Sequence, residues 1–346
     1  MTLEKRIQSF ELLGNILRRY HENSSEPEML PLIAAAQISY AENPWFTPRN
    51  IQTSLNSLGE ALKIENLRAW LSTYQQKTGR PLVQKVVGVI MAGNIPAVGF
   101  HDFLCVLLSG HKIKARLSSA DARLLPAMAE ILLKYEPEWD SQITFITGKL
   151  EHFDAIIATG SNNSSRYFEY YFGKYPNIIR KNRNSVAVIT GDENGDELEK
   201  LADDMMLYFG LGCRSISKLF VPEGYDFSPL IKALQKYDQY VNHNKYRNNY
   251  DYCRTMLLMN LVPYIDAGCL LLKEDHSITS RIAVLHYEFY LDPDRVLNSI
   301  TENRDTIQCV VCHRALRIAT VHPGKAQYPA LWEYADEVDT LDFLLS

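Results

Sequence analysis

Nowhere in the 346 residues is there an uninterrupted apolar run long enough to cross a membrane: the most apolar stretches are broken by His101 and Asp102, and again by Pro263 and Asp266. The start, Met1-Thr2-Leu3-Glu4-Lys5-Arg6, also lacks the apolar segment of a secretion signal, so a cytoplasmic protein without a membrane span is expected. Excess charge is equally scarce. Thirty-six Lys and Arg stand against 41 Asp and Glu, a net charge of −5 with no strongly basic segment, which excludes a nucleic-acid partner. Six cysteines at irregular positions read as thiols rather than as a disulfide framework. The Walker loop, the HExxH pair, the GxSxG elbow and the paired CxxC array are all missing, so phosphoryl transfer, metalloproteolysis, serine hydrolysis and structural zinc lack their signatures. No metal is expected.

What is present is enough apolar sequence, 46% of residues, to build a large core. Phe10, Leu13, Ile16 and Leu17 recur at helical spacing and open an N-terminal helical layer reaching about residue 75. From Gln84 the texture changes to short apolar runs alternating with helical stretches: Val86 to Met91, Phe103 to Leu108, Ile113 to Leu117, Leu124 to Tyr135, Ile143 to Ile146 and Ala155 to Ala158. An aromatic helix near Arg166 to Phe172 and a further run at Val186 to Ile189 continue the pattern. This β-α-β-α order predicts an α/β fold with a doubly wound parallel sheet and right-handed crossovers. A second α/β unit begins near Ser185, with a helix at Glu197 to Phe209 followed by a strand at Ser215 to Val221. The expected division is 1–184, 185–325 and a C-terminal segment 326–346.

Two local patterns mislead. Gly210-Leu211-Gly212-Cys213-Arg214-Ser215 imitates a dinucleotide fingerprint, but a helix precedes it and a strand follows, the reverse of what that motif needs. Cys309-Val310-Val311-Cys312-His313 imitates a haem-attachment site, yet it continues an apolar run and reads as cysteines on a buried strand. Cys213 is different from these. Glycines at 210 and 212 allow a tight turn and leave room around its sulfur, and backbone N–H groups on such an elbow can stabilise a thiolate and then an oxyanion. A buried small side chain is the structural alternative.

At this point the chain resembles the aldehyde dehydrogenase superfamily, and within it the acyl-CoA reductase branch similar to LuxC. The resemblance runs from about residue 84. Gly93-Asn94-Ile95-Pro96 resembles the Asn-aromatic-Pro turn, whose asparagine helps hold an oxyanion. Gly110 to Ser119 resembles the strand that contacts the cofactor's adenosine ribose, which implies cofactor-binding roles for Arg116 and Ser118. Thr159-Gly160-Ser161 resembles the turn beside the cofactor's pyrophosphate, and Gly210-Leu211-Gly212-Cys213 the nucleophile loop. The catalytic pair so implied is Cys213 and Asn94.

Departures shape the expected chemistry. Hydrolytic members carry a glutamate base some thirty positions before the cysteine, where this chain has Arg180; the Glu-x-Phe-Gly-Pro segment falls near Ser277 to Arg281 and is degraded. A thioester substrate removes the need for that base, because a Cys213 thiolate exchanges one thioester for another and releases CoA without activated water. The resemblance therefore implies an oxidoreductase that reduces acyl-CoA to aldehyde with NADPH, NADH being the other option and CoA a product. A CoA-independent aldehyde dehydrogenase and a noncatalytic nucleotide-binding protein are the competing readings. Lys112, Lys114 and Arg116 alternate on one strand and are expected to share a face, either lining a phosphate pocket or guarding an edge. Trp332 to Asp336 and Leu341 to Leu345 resemble the superfamily's terminal oligomerisation element, which implies a homo-oligomer, dimer or larger; a segment docked within one chain is the alternative.

Overall fold

The short apolar runs become parallel strands buried on both faces, as such runs do when helices cover a sheet on each side. The computed structural model describes residues 1–78 and 83–346. It divides into two units, Met1–Lys181 with Ala330–Ser346, and Asn182–Pro329.

The first unit is built on β1 (Val86–Ile90), β2 (Lys112–Arg116), β3 (Ile143–Ile146), β4 (Ala155–Thr159) and β5 (Asn177–Arg180). Their order is β3-β2-β1-β4-β5 and every neighbouring pair is parallel. This is the expected doubly wound sheet. Strand β5 is a four-residue edge strand whose two apolar residues lie between Asn177 and Arg180, so it lacks the apolar run that marks β3 at the other edge. Helix Phe100–Ser109 has nine of its ten residues buried, so it serves two layers at once. The N-terminal helices supply the second of these: Phe10 of helix Leu3–Arg18 meets Phe100 and Phe103 edge to face, with ring centroids 6.3 and 6.4 Å apart.

The C-terminal segment docks within this unit. Trp70 donates through Nε1 to the Tyr334 hydroxyl (2.7 Å), His111 Nε2 is 2.8 Å from the Leu344 carbonyl, and Leu341 and Leu344 are buried in the unit's core.

The second unit carries β6 (Asn184–Val188), β7 (Ile216–Pro222), β8 (Ile265–Asp266), β9 (Leu271–Glu274), β10 (Val284–Tyr290) and β11 (Ile307–Val311) in the order β11-β6-β7-β10-β9-β8. All pairs are parallel except β8 with β9. Cys309 lies on β11 and Cys312 just beyond it, and no disulfide joins any of the six cysteines. Helix Gly195–Met206 starts at an Asn194 and Glu197 capping box. It stops three residues short of the expected Phe209. Tyr208, Phe209 and Gly210 all adopt left-handed φ (55°, 58° and 72°), and Phe209 packs against Tyr240 in a tilted arrangement with ring centroids 4.3 Å apart, so tertiary aromatic packing overrides the helical pattern there. Among the described residues no helix is long and apolar enough to cross a membrane.

Arg180 closes β5 as a buried cation. It donates to Asp102 of helix Phe100–Ser109 (2.6 Å) and to the Thr340 hydroxyl (2.8 Å). Removing one partner of such a pair strands the other charge, so Arg180→Met is expected to cost about 3–5 kcal/mol, and the double variant with Asp102→Leu to recover most of it. All four tryptophans belong to the first unit, so urea denaturation followed by tryptophan fluorescence reads this unit's stability directly. Equal losses in the single and double variants would contradict the prediction.

Candidate active site

In a doubly wound sheet, ligands collect outside the carboxyl ends of the strands, where the strand order reverses. Here that point is β1, flanked by β2 and β4. The turn after β1 carries Asn94, which is exposed. Gly93 is required by close approach, since a Cβ there would stand 2.6 Å from Ser118 Oγ beyond the end of β2. Two further bonds fix the turn: Ser54 Oγ donates to the Pro96 carbonyl (2.7 Å), and the Ala97 N–H donates to Asp121 Oδ2 (2.7 Å) with Ala97 held at φ 57°. Asp121 is buried and its Oδ1 has no hydrogen-bond partner. Burial pushes this carboxyl up to about 7, against the opposing pull of the Ala97 N–H.

After β4, Thr159 and Gly160 lead to Ser161, which caps helix Asn162–Phe172 by accepting from the Ser164 N–H (3.2 Å). A Cβ at Gly160 would meet Phe168 at 2.8 Å and Ser164 at 2.9 Å, so only glycine lets the helix start this close to the strand. The resulting cradle of backbone N–H groups suits a phosphate-bearing ligand. Arg116 is exposed at the end of β2 and shares a face with Lys112 and Lys114, as alternation predicts. Lys114, however, donates to the carbonyls of Glu151 (2.8 Å) and His152 (3.2 Å), which commits it to the loop between β3 and β4. The sheet thus brings Asn94, Arg116, Ser118, Thr159, Gly160 and Ser161 to one edge of the first unit.

Cys213 belongs to the second unit, at the amino edge of its sheet. The Ser215 N–H donates to the Gly212 carbonyl (3.0 Å), closing a turn with Cys213 and Arg214 at its corners immediately before β7. Cys213 is half-buried, and its carbonyl accepts from Ser185 Oγ (3.0 Å), which also lies 3.1 Å from Cys309 Sγ. Burial pushes the Cys309 thiol up to about 11, with Arg214 and Ser185 acting the other way, so Cys309 stays protonated at neutral pH. The turn is braced by residues 324–327. Asp204, fully buried on helix Gly195–Met206, accepts from the N–H of Gly324 (2.6 Å) and of Ala326 (3.1 Å), and Gln327 Nε2 donates to Ser215 Oγ (3.2 Å). Burial raises Asp204 to about 7 despite those two N–H donors.

The family model for acyl-CoA reductase (LuxC) matches residues 18–238, well over half of the chain and inclusive of both Asn94 and Cys213. The chain belongs to the LuxC acyl-CoA reductase family. Its fold is that of the aldehyde dehydrogenases. Aldehyde dehydrogenase 21 from Physcomitrella patens, solved with its reaction product succinate, superposes with a TM-score of 0.64 at 12% identity, covering 91% of this chain and 74% of that one. An indole-3-acetaldehyde dehydrogenase complexed with NAD+ gives 0.63 at 12% identity over 94% and 74% of the two chains. An NAD+ complex of aldehyde dehydrogenase from Bacillus cereus gives 0.61 at 14% identity, covering 90% and 72%. At these identities the likeness establishes the fold. No curated protein sequence matches the chain. Family and fold together support oxidoreductase chemistry at the aldehyde level.

In this LuxC-family chain Arg180 is not available as a base, being locked to Asp102 and Thr340. The degraded segment near Ser277 to Arg281 packs at the same sheet edge as Cys213: Ser217 Oγ donates to the Ile278 carbonyl (2.6 Å), and Thr279 Oγ1 to Asn184 Oδ1 (3.0 Å). At the opposite edge, Asp192, Glu193 and His313 place ligand atoms within 4.8 Å of one another. The oxygens of that group are already engaged, because Arg314 pairs with Asp192 and the N–H groups of Thr190 and Gly191 donate to Glu193. Sequence reading missed Asp121 and Asp204, whose only local signal is an acidic residue among apolar neighbours.

Both acids carry a testable sign. Their folded values lie above the unfolded carboxylate value near 4, so between about pH 4 and 7 the unfolded chain holds fewer protons and stability falls as pH rises. Asp121→Asn keeps an acceptor for Ala97 but cannot titrate. Urea titrations between pH 5 and 6.5 should show the stability slope flatter by about 1.4 kcal/mol per pH unit in this variant. An unchanged slope would mean that Asp121 is ionised throughout.

Proposed function

We propose that the protein reduces an acyl-CoA thioester to the aldehyde through an acyl group carried on Cys213, with NADPH as the cofactor. The observation that carries this reading is the acyl-CoA reductase family match spanning Asn94 and Cys213 together, on a chain that lacks a carboxylate at position 180. The Cys213 thiolate adds to the thioester carbon, forming a new C–S bond while the bond to CoA breaks. CoA departs as a thiolate and takes a proton from solvent. No water has to be activated in this exchange, and the absence of a base protects the acyl group from hydrolysis. Asn94 is assigned as a donor to the oxyanion formed during attack.

A nicotinamide cofactor, when bound, supplies the two electrons that take the acyl group to the aldehyde. Its pyrophosphate would be held by Thr159, Gly160 and Ser161, and its adenosine ribose by Ser118 and Arg116. A guanidinium grips a phosphate through two parallel N–H bonds where an ammonium gives a point charge, so Arg116 favours a 2′-phosphate and hence NADPH.

Incubation with acyl-CoA and no reductant is expected to add an acyl mass to the peptide containing Cys213, and Cys213→Ala to abolish it. Label on Cys309 or Cys312 instead would overturn the assignment. Asn94→Ala should slow turnover by about 10²–10³ with folding intact, whereas an unchanged rate would return Asn94 to a turn role. Arg116→Ala should weaken NADPH binding about tenfold or more and NADH binding little. Equal Michaelis constants for the two cofactors before and after that substitution would leave Arg116 as surface charge.

A further inference from the structure

The structure assigns Asp204 as the positioning residue of the Cys213 turn, acting through the strap Gly324 to Gln327. This rests on the reading of Cys213 as the nucleophile. Nothing in packing alone calls for a carboxylate at this place. Asp204 is fully buried, and burying a carboxyl is costly unless its oxygens are hydrogen-bonded. Each of its two oxygens takes a separate backbone N–H, from Gly324 and from Ala326, a service that an amide cannot provide without turning its own N–H₂ against one of them. Gly324 completes the seat. It has a left-handed φ of 80°, and a Cβ on it would come within 3.0 Å of Lys200, one helical turn before Asp204.

The strap so pinned is hydrogen-bonded to the turn at two of its four residues, Arg214 and Ser215, and leaves space beside Gly212. Gln327 Nε2 donates to Ser215 Oγ (3.2 Å) and to the Asp204 carbonyl (3.4 Å). Gln327 Oε1 stands 3.5 Å from where a Cβ at Gly212 would lie, and Arg214 donates to the Ala326 carbonyl (3.5 Å). The fourth residue, Cys213, is fixed through its carbonyl by Ser185 on the other side. The left-handed run at Tyr208 to Gly210 leads straight into this turn, and such backbone persists only where its surroundings hold it.

The test uses the full chain carrying Asp204→Asn or Gln327→Ala, with Leu198→Ala as a control that opens a cavity on the same helix without touching the strap. Two readouts are taken: acyl-enzyme formation with acyl-CoA, and the pH profile of Cys213 alkylation by iodoacetamide, followed on the Cys213 peptide by mass spectrometry. Asp204→Asn and Gln327→Ala should each slow acyl-enzyme formation about tenfold with KM for acyl-CoA within about twofold. Both should also shift the alkylation inflection of Cys213, because the turn that sets the surroundings of its sulfur is no longer held. Leu198→Ala should move neither readout at comparable loss of stability. A Cys213 alkylation profile unaltered in Gln327→Ala, or shifted equally by Leu198→Ala, would overturn the assignment. If wild-type Cys213 accepts no acyl group, the acyl-CoA reading fails on its own, and the alkylation profile still decides the role of the strap. If Asp204→Asn does not fold, Gln327→Ala decides alone, since it keeps both N–H bonds from the strap to the Asp204 carboxyl and cuts the strap's side-chain link to Ser215.

Discussion

A polar group taken out of water must find its hydrogen bonds inside the protein, and that constraint sets the turn after β1, the turn before β7 and the anchorage of β5. Asp121 answers it by taking the Ala97 N–H, and so sets the turn that carries Asn94. Asp204 answers it with two N–H groups of the strap that braces Cys213. Arg180 answers it with Asp102 and Thr340, which ties β5 to a central helix and to the C-terminal segment at once. In each case the buried group is charged or chargeable. A weaker partner would leave a desolvation cost of about 1–3 kcal/mol uncompensated, so the loop has one arrangement rather than several.

The two sheets use opposite edges for different tasks. In the first unit the carboxyl edge gathers Asn94, Ser118 and the Thr159 to Ser161 cradle, because parallel strands and right-handed crossovers deliver every such loop to the same side. In the second unit Cys213 lies at the amino edge, before β7, and is presented by a turn rather than by a helix start. That location asks more of the backbone. Tyr208 and Phe209 adopt left-handed conformations costing about 1–3 kcal/mol each, and the tilted packing of Phe209 against Tyr240 and His243 (4.7 Å) holds them.

Position 180 joins stability to reaction class. A carboxylate base needs an exposed, titrating group, and a guanidinium buried between Asp102 and Thr340 is neither. The residue that secures β5 thus stands where the resemblance expects the glutamate base of hydrolytic members. Under the proposed function this suits a thioester, whose exchange onto a thiolate proceeds without water.

The amino-acid sequence alone determined the layers and the chemistry-bearing loops. Buried parallel strands read as apolar runs, so β1, β2, β4, β6 and β7 stand within a residue or two of where those runs fall, and helix Leu124–Tyr135 begins and ends as its pattern does. Cys213 stood out by its flanking glycines, whereas Asn94 and the Thr159 to Ser161 turn were singled out by the resemblance to the aldehyde dehydrogenase superfamily and not by any local pattern of their own. Strand β5, the early end of helix Gly195–Met206 and the commitment of Lys114 were decided by tertiary structure. So were the roles of Asp102, Asp121 and Asp204. Their partners lie 78, 24 and about 120 positions away in the chain. Periodicity reports which face of an element is apolar, but whether one acid is buried, and which N–H or guanidinium meets it there, depends on elements that only folding brings together.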